Sequence, residues 1–387
     1  MTGSLIDRVR ERLASESVPL RPTVVAAAIR AESGGVLGDT DVLSNLRLLE
    51  TELTGVGILE PLLRTEGVTD VLVSAPDQVW VDSGNGLCRS EIRFPNEASV
   101  RRLAQRLAAA AGRRLDDAQP WVDAQLAEAG SGQFTVRLHA VLPPVAMAGT
   151  CISLRILRPA TQDLTALAAA GAVAPDALSL LEDIVSARLA FLVSGGTGAG
   201  KTTLLAAALG AVSSRERIVC VEDAAELAPN HPHFVRLVAR SANVEGAGEI
   251  TLRQLVRQAL RMRPDRIVVG EVRGAEVVDL LSALNTGHDG GSGTVHANSP
   301  AEVPARLEAL AALGGLDRAA LHSQLAAAVH VVIHVSRGPN GRHLSEIALL
   351  QRDTSGCVYA VPVWHVEHGL QRGTELLRRL INDRCGR

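Results

Sequence analysis

An α/β fold is predicted for the C-terminal half of this 387-residue chain, with a smaller α+β domain and a helical segment ahead of it. Three observations carry the prediction. From residue 176 onward, strand-like runs alternate with helical ones: LAFLVS (189–194), RIVCVED (217–223) and RIVVGE (266–271) are separated by helix-patterned segments. Those strands are apolar throughout, the pattern of a parallel sheet covered on both faces. The first of them runs into SGGTGAGKTT (194–203), a glycine-rich loop that opens a helix.

Taken in order, residues 4–55 read as helices, with Leu5, Ile6, Val9 and Leu13, then Val42, Leu46, Leu49 and Leu53, at helical spacing. From about 67 the period changes to that of strands. VTDVLVS and QVWVDS lead through Gly84, Asn85 and Gly86 into LCRSEIRF, a hairpin pattern. ASVRRLAQRLAAAAG (98–112) is helical, and FTVRLHAVL and TCISLRIL (134–157) return to strand. The division expected is a helical segment 1–58, an α+β domain 59–157, a linker 158–175 with a proline near each end, and a phosphate-loop domain 176–387.

Composition narrows the functions. A formal net charge of −3 gives no global attraction to nucleic acid, and eight aromatic residues are too few for a base-stacking surface. The five cysteines are scattered and form no CxxC pair, which argues against a disulfide framework or zinc knuckle. The opening MTGSLIDRVRERLA is too charged for a secretory signal, and the longest apolar tract (164–196) is cut by Pro175, Asp176, Glu182, Asp183 and Arg188.

Gly195-x-x-x-x-Gly200-Lys201-Thr202 has the Walker A spacing. Glycines let the backbone of Gly195, Gly196, Thr197, Gly198, Ala199 and Gly200 curl so that its N–H groups face phosphate oxygens, and the helix that includes Thr203 adds its positive N-terminal end. Thr202 offers a hydroxyl to Mg²⁺. Lys201 is the only lysine among 39 basic residues. A compact ammonium reaches between the β- and γ-phosphates of ATP where a planar guanidinium does not fit as well. Strands ending in Glu222–Asp223 and Glu271 bring carboxylates to the same sheet edge, suited to activating water and holding Mg²⁺ through its hydration shell, with Glu271 a candidate ligand. Position 270 is Gly where many such proteins place Asp. His296, in GTVHAN, is placed to sense the γ-phosphate, and His288 lies in the loop before it. Arg253, Arg257 and Arg261 make a basic stripe on one helix face, open to a solvated, subunit-contacting or polynucleotide-tracking reading.

Together, VEDAAEL (221–227), RMRPDRIVVGEVRGAEVVDLLSALNTGHDGGSGTVHANSP (261–300) and ISLRILRP (152–159) resemble the acidic box, the Walker B and His boxes and the interdomain segment of the secretion ATPase superfamily, the motors of type II and type IV secretion, conjugation and pilus assembly. The wording of the His box and the lack of a tetracysteine module resemble the Tad/Flp-pilus and conjugation branch. The resemblance covers roughly residues 45–350. It implies a RecA-like motor domain and a homohexameric ring on the cytoplasmic face of the inner membrane. It further implies nucleotide clamped between two domains, and hydrolysis that drives a membrane platform protein. It implies roles for Glu222 in preparing water, for Glu271 and His296 as the Walker B and His-box residues, and for Arg155 and Arg158 as arginines that approach the nucleotide, with Arg137 a weaker candidate. A pilus or secretion motor is the expected function. The alternatives are a conjugal DNA-transfer motor and a nucleotide-dependent switch that barely hydrolyses ATP.

Overall fold

The computed structural model describes residues 8–9, 12, 22–34, 38 and 55–386, apart from 85, 130–133, 159, 244, 339 and 340. The chain divides into two units, Met1–Arg158 and Pro159–Arg387.

In the first unit, Pro22–Glu32 is helical and buries Val25, Ala28 and Ile29, three positions on one face. Val9 is buried, whereas Leu5, Ile6, Leu13, Val42, Leu46, Leu49 and Leu53 lie outside the described residues. Strands β1 (Asp70–Ala75), β2 (Gln78–Asp82), β3 (Leu87–Arg89), β4 (Trp121–Ala129), β5 (Phe134–Val141) and β6 (Cys151–Leu157) form an antiparallel sheet in the order β3-β2-β1-β6-β5-β4. The expected hairpin is β2–β3, with Asp82 opposite Leu87. Helix Glu97–Ala110 covers the sheet because Val100, Leu103, Ala104, Leu107 and Ala108 fall on one stripe. Asn96 caps its start by accepting the Ser99 N–H at 3.0 Å. Glu97 ties that start to the foot of β6 by accepting the Thr150 N–H and O–H at 2.7 and 2.6 Å.

The second unit holds a nine-stranded sheet. In chain order its strands are β7 (Phe191–Ser194), β8 (Ile218–Glu222), β9 (Phe234–Val238), β10 (Arg266–Val272), β11 (Ser292–Val295), β12 (Val331–Gly338), β13 (Gly341–Arg352), β14 (Val358–His365) and β15 (Gly369–Leu370). Their lateral order is β15-β14-β13-β12-β7-β11-β10-β8-β9. The run from β12 to β9 is parallel, as the alternation predicts, and β7, β8 and β11 are buried at every position. Beyond β12 the sheet continues antiparallel through β15. One apolar core lies on each face of the sheet. Phe191, Val193 and Ile333 point into the first core, with the helices Pro175–Ser186 and Lys201–Gly210. Leu192 and Val332 point into the second, with Leu252–Ala259, Glu276–Leu284, Val303–Leu313 and Arg318–Ala328.

Residues 158–175 differ from the expected linker. Asp163 caps a helix at Leu164–Ala169, and Leu164, Leu167 and Val173 are buried in the first core, so residues 160–175 are part of the second unit's fold, while Arg158 belongs to the first. Ala160 also bridges Leu227. The apolar spacing of this segment, and not its prolines, decides its state.

Candidate nucleotide-binding site

Parallel strands bring their carboxyl ends to one edge, and here three of them finish in step. Val295 of β11, Ser194 of β7 and His334 of β12 are direct neighbours in register. The next residue on each strand is therefore His296, Gly195 or Val335, and these three line the mouth of the phosphate loop. The loop begins so close to β12 that a Cβ at Gly195 would lie 2.4 Å from the Val335 carbonyl oxygen, a separation real side chains do not tolerate. Gly200, at φ +100°, hands the loop to the helix in a left-handed conformation that disfavours other residues.

Lys201 folds back over the loop, its Nζ donating to the carbonyls of Gly195 and Gly196 at 3.1 and 2.9 Å. The same Nζ lies 3.4 Å from both ring nitrogens of His296. Lys201 is 8% exposed, and burial pulls its pKa down while Glu271 and Glu226 pull it up. The sole lysine is thus a nearly buried ammonium at the centre of an acid–histidine cluster. Glu271 joins that cluster directly, with an oxygen 2.7 Å from His296 Nε2.

The acidic segment divides its labour. Glu222 is 3% exposed, and its Oε1 accepts the N–H groups of Glu226 and Leu227 at 3.2 and 2.9 Å. Its Oε2 faces Arg236 Nε at 3.1 Å, and Arg236 also donates to the Leu227 carbonyl. Burial pushes the Glu222 carboxyl up to about 7, outweighing the Leu227 N–H and the Arg236 charge, which both act downward. Glu222 therefore shapes the turn that follows it. Glu226, which the sequence reading did not single out, occupies the phosphate side: its Oε2 accepts from the Thr202 hydroxyl at 3.3 Å. Asp223 pairs with Arg273 just past β10, at 2.5 Å. Gly270 has a packing explanation, since a Cβ there would sit 2.7 Å from Glu222 Cγ and leave no room for the Asp found elsewhere.

His334 was also not singled out. It is buried, and its Nδ1 lies 2.9 Å from Ser194 Oγ. Burial and then Lys201 lower its pKa, against the pull of Glu302. A histidine in the otherwise apolar run VVIHV was the available signal. Behind the loop, Leu167, Val173, Thr203, Leu204, Val335 and Arg342 help line a cavity of about 290 Å³.

The remaining candidates each engage partners of their own unit. Arg155 (β6) pairs with Asp70 at 2.9 Å, Arg158 donates to the Thr65 carbonyl at 3.0 Å, and Arg137 pairs with Asp123 at 2.7 Å, all within the first unit. Arg253 and Arg257 both engage Asp279 of the neighbouring helix, at 2.6 and 2.8 Å, so two thirds of the basic stripe is paired. His288 approaches the Ala283 carbonyl at 3.1 Å and precedes β11, at the opposite end of that strand from His296.

A glycine-rich loop at the carboxyl edge of a parallel sheet, carrying a buried lysine and faced by carboxylates, defines a phosphate-loop nucleotide-binding protein. The chain belongs to the type II/IV secretion system protein family, which it matches over residues 52–362. A Mycobacterium tuberculosis protein provisionally named a conjugal transfer protein is 74% identical to it over 351 residues, spanning 90% of this chain and 99% of that one. The type IV secretion system protein PtlH of Bordetella pertussis is 34% identical over 268 residues, 62% of this chain and 76% of PtlH. Among solved structures, the ADP-bound pilus retraction motor PilT aligns with a TM-score of 0.54 at 22% identity, over 77% of this chain and 84% of PilT. That last likeness is one of fold. No helix among the described residues is long and apolar enough to cross a membrane.

Proposed function

We propose that this protein is a motor ATPase that hydrolyses ATP·Mg²⁺ to power a secretion, pilus-assembly or transfer machine. The observation that carries the reading is the convergence of Lys201, Glu271–His296 and Thr202–Glu226 around one phosphate loop. The donors available to a metal, the Thr202 hydroxyl and the Glu226 and Glu271 carboxylates, are all oxygen, the set that suits a hard cation such as Mg²⁺. Bound there, Mg²⁺ would supply charge neutralisation to the β- and γ-phosphates. Loop N–H groups and Lys201 bind the triphosphate. Glu271 orients and deprotonates the attacking water, and His296, held by Glu271, reads the γ-phosphate. Glu222 acts by holding the Glu226 turn in place. The cavity behind Thr203 and Leu204 receives the base and ribose.

The resemblance of ISLRILRP supports assigning Arg155 and Arg158 to nucleotide contact, in a homohexamer docked peripherally on the inner membrane against a platform protein. Lys201→Ala is expected to abolish ATP binding, and Glu271→Gln to retain binding while losing about 10²–10⁴ in turnover. Normal turnover by either purified variant would remove the mechanism. The name of the mycobacterial relative favours a second reading, a conjugal DNA-transfer motor with the same chemistry. Hydrolysis stimulated by DNA, with stimulation falling steeply as salt rises, would select it. The pairing of Arg253 and Arg257 with Asp279 favours a protein cargo.

A further inference from the structure

At the far edge of the second unit's sheet from β9, the sequence His365-Val366-Glu367-His368-Gly369 turns β14 into β15. His365 pairs with Gly369 across the hairpin, leaving a three-residue loop. The His368 N–H donates to the His365 carbonyl at 3.2 Å, and Gly369 sits at φ +63°, the left-handed residue that closes such a loop. This turn brings the first and fourth residues together. The two imidazoles meet edge to face with centroids 4.9 Å apart, and one donor atom from each of His365, Glu367 and His368 lies within 4.8 Å of the others.

We propose that His365, Glu367 and His368 form a binding site for a divalent transition metal of the zinc–nickel–copper class, separate from the nucleotide site. Two imidazoles and one carboxylate are the donors that this class prefers, whereas Mg²⁺ and Ca²⁺ take oxygen ligands. A tight turn fixes the spacing before the ion arrives, so little chain ordering opposes binding. The outer shell is also present. Glu346 of β13 stands directly opposite His365 in register, half-buried and close enough for the two to couple electrostatically. A carboxylate behind a ligating histidine is the usual support for such a ring. The Nδ1 of His365 accepts the Glu367 N–H at 3.2 Å, a long bond that a metal at that nitrogen would replace.

The test is calorimetric titration of ZnCl₂, then NiCl₂, into chelator-treated, tag-free full-length protein without nucleotide. One equivalent is expected to bind. His365→Ala with His368→Ala should abolish that step, and His368→Gln alone should weaken it about tenfold or more, as should Glu346→Gln. ATP affinity is the folding control and should be unchanged in each variant. Absence of stoichiometric binding to the unsubstituted protein, or equal binding by the double variant with ATP affinity intact, would overturn the site. Neither result bears on the ATPase reading, because no residue of the turn belongs to the phosphate-loop cluster.

Discussion

Replacing Glu222 with Gln should flatten the pH dependence of the second unit's stability. In the folded chain this carboxyl holds its proton up to about pH 7, against an ordinary value of 4.5, because it is buried. Between those two values the folded state therefore binds more protons than the unfolded state, and stability falls as pH rises. The interval of about 2.5 pH units corresponds, at 1.36 kcal/mol each, to at most about 3–4 kcal/mol. Relaxation of the site and water penetration around the buried carboxyl reduce this, so about 1–3 kcal/mol is expected. Gln keeps the shape and the acceptor used by the Glu226 and Leu227 N–H groups. At pH 5 the two proteins should be nearly equal in stability, and at pH 8 the variant should be the more stable. Trp364 is buried in the second unit, whereas Trp80 and Trp121 belong to the first. Urea unfolding followed by Trp364 fluorescence, in a background with Trp80→Phe and Trp121→Phe, therefore isolates the relevant unit. Parallel stability curves for the two proteins from pH 5 to 8 would refute the assignment of the proton to Glu222.

Gly270→Ala should push the Glu222 side chain off its partners and destabilise the second unit by about 1–3 kcal/mol, read from the same urea midpoints. Glu226→Gln should leave stability nearly unchanged but raise the Mg²⁺ concentration for half-maximal ATPase activity about tenfold or more, read by steady-state titration. His334→Ala leaves the buried Ser194 hydroxyl without its imidazole, so a loss of about 1–3 kcal/mol is expected in the urea series.

The phosphate loop and the parallel run of strands were legible because both are local: a spacing of four fixed positions, and apolar runs that strands produce on their own. The strand-tip position of Glu271 was legible for the same reason. Glu226 was not, because its approach to Thr202 depends on a turn that Glu222 builds with two backbone N–H groups, and spacing does not report turn geometry. His334 reaches Ser194 only through the pairing of strands 140 residues apart in the chain. The arginine stripe was legible as a stripe, but its neutraliser, Asp279, belongs to the next helix. The antiparallel extension β13–β15 escaped because the alternation that signals parallel strands ends at β12.

The placement of β7 also governs how the molecule comes into being. Its two neighbours, β11 and β12, are synthesised about a hundred residues or more after it, so a growing polypeptide exposes the loop-bearing strand long before either flank exists. Such distant pairing folds slowly and leaves sticky strand edges open meanwhile. A ribosome-stalled product ending before residue 331 should consequently lack β12, the wall against which Gly195 packs, and the capacity to hold nucleotide should arise only late in translation.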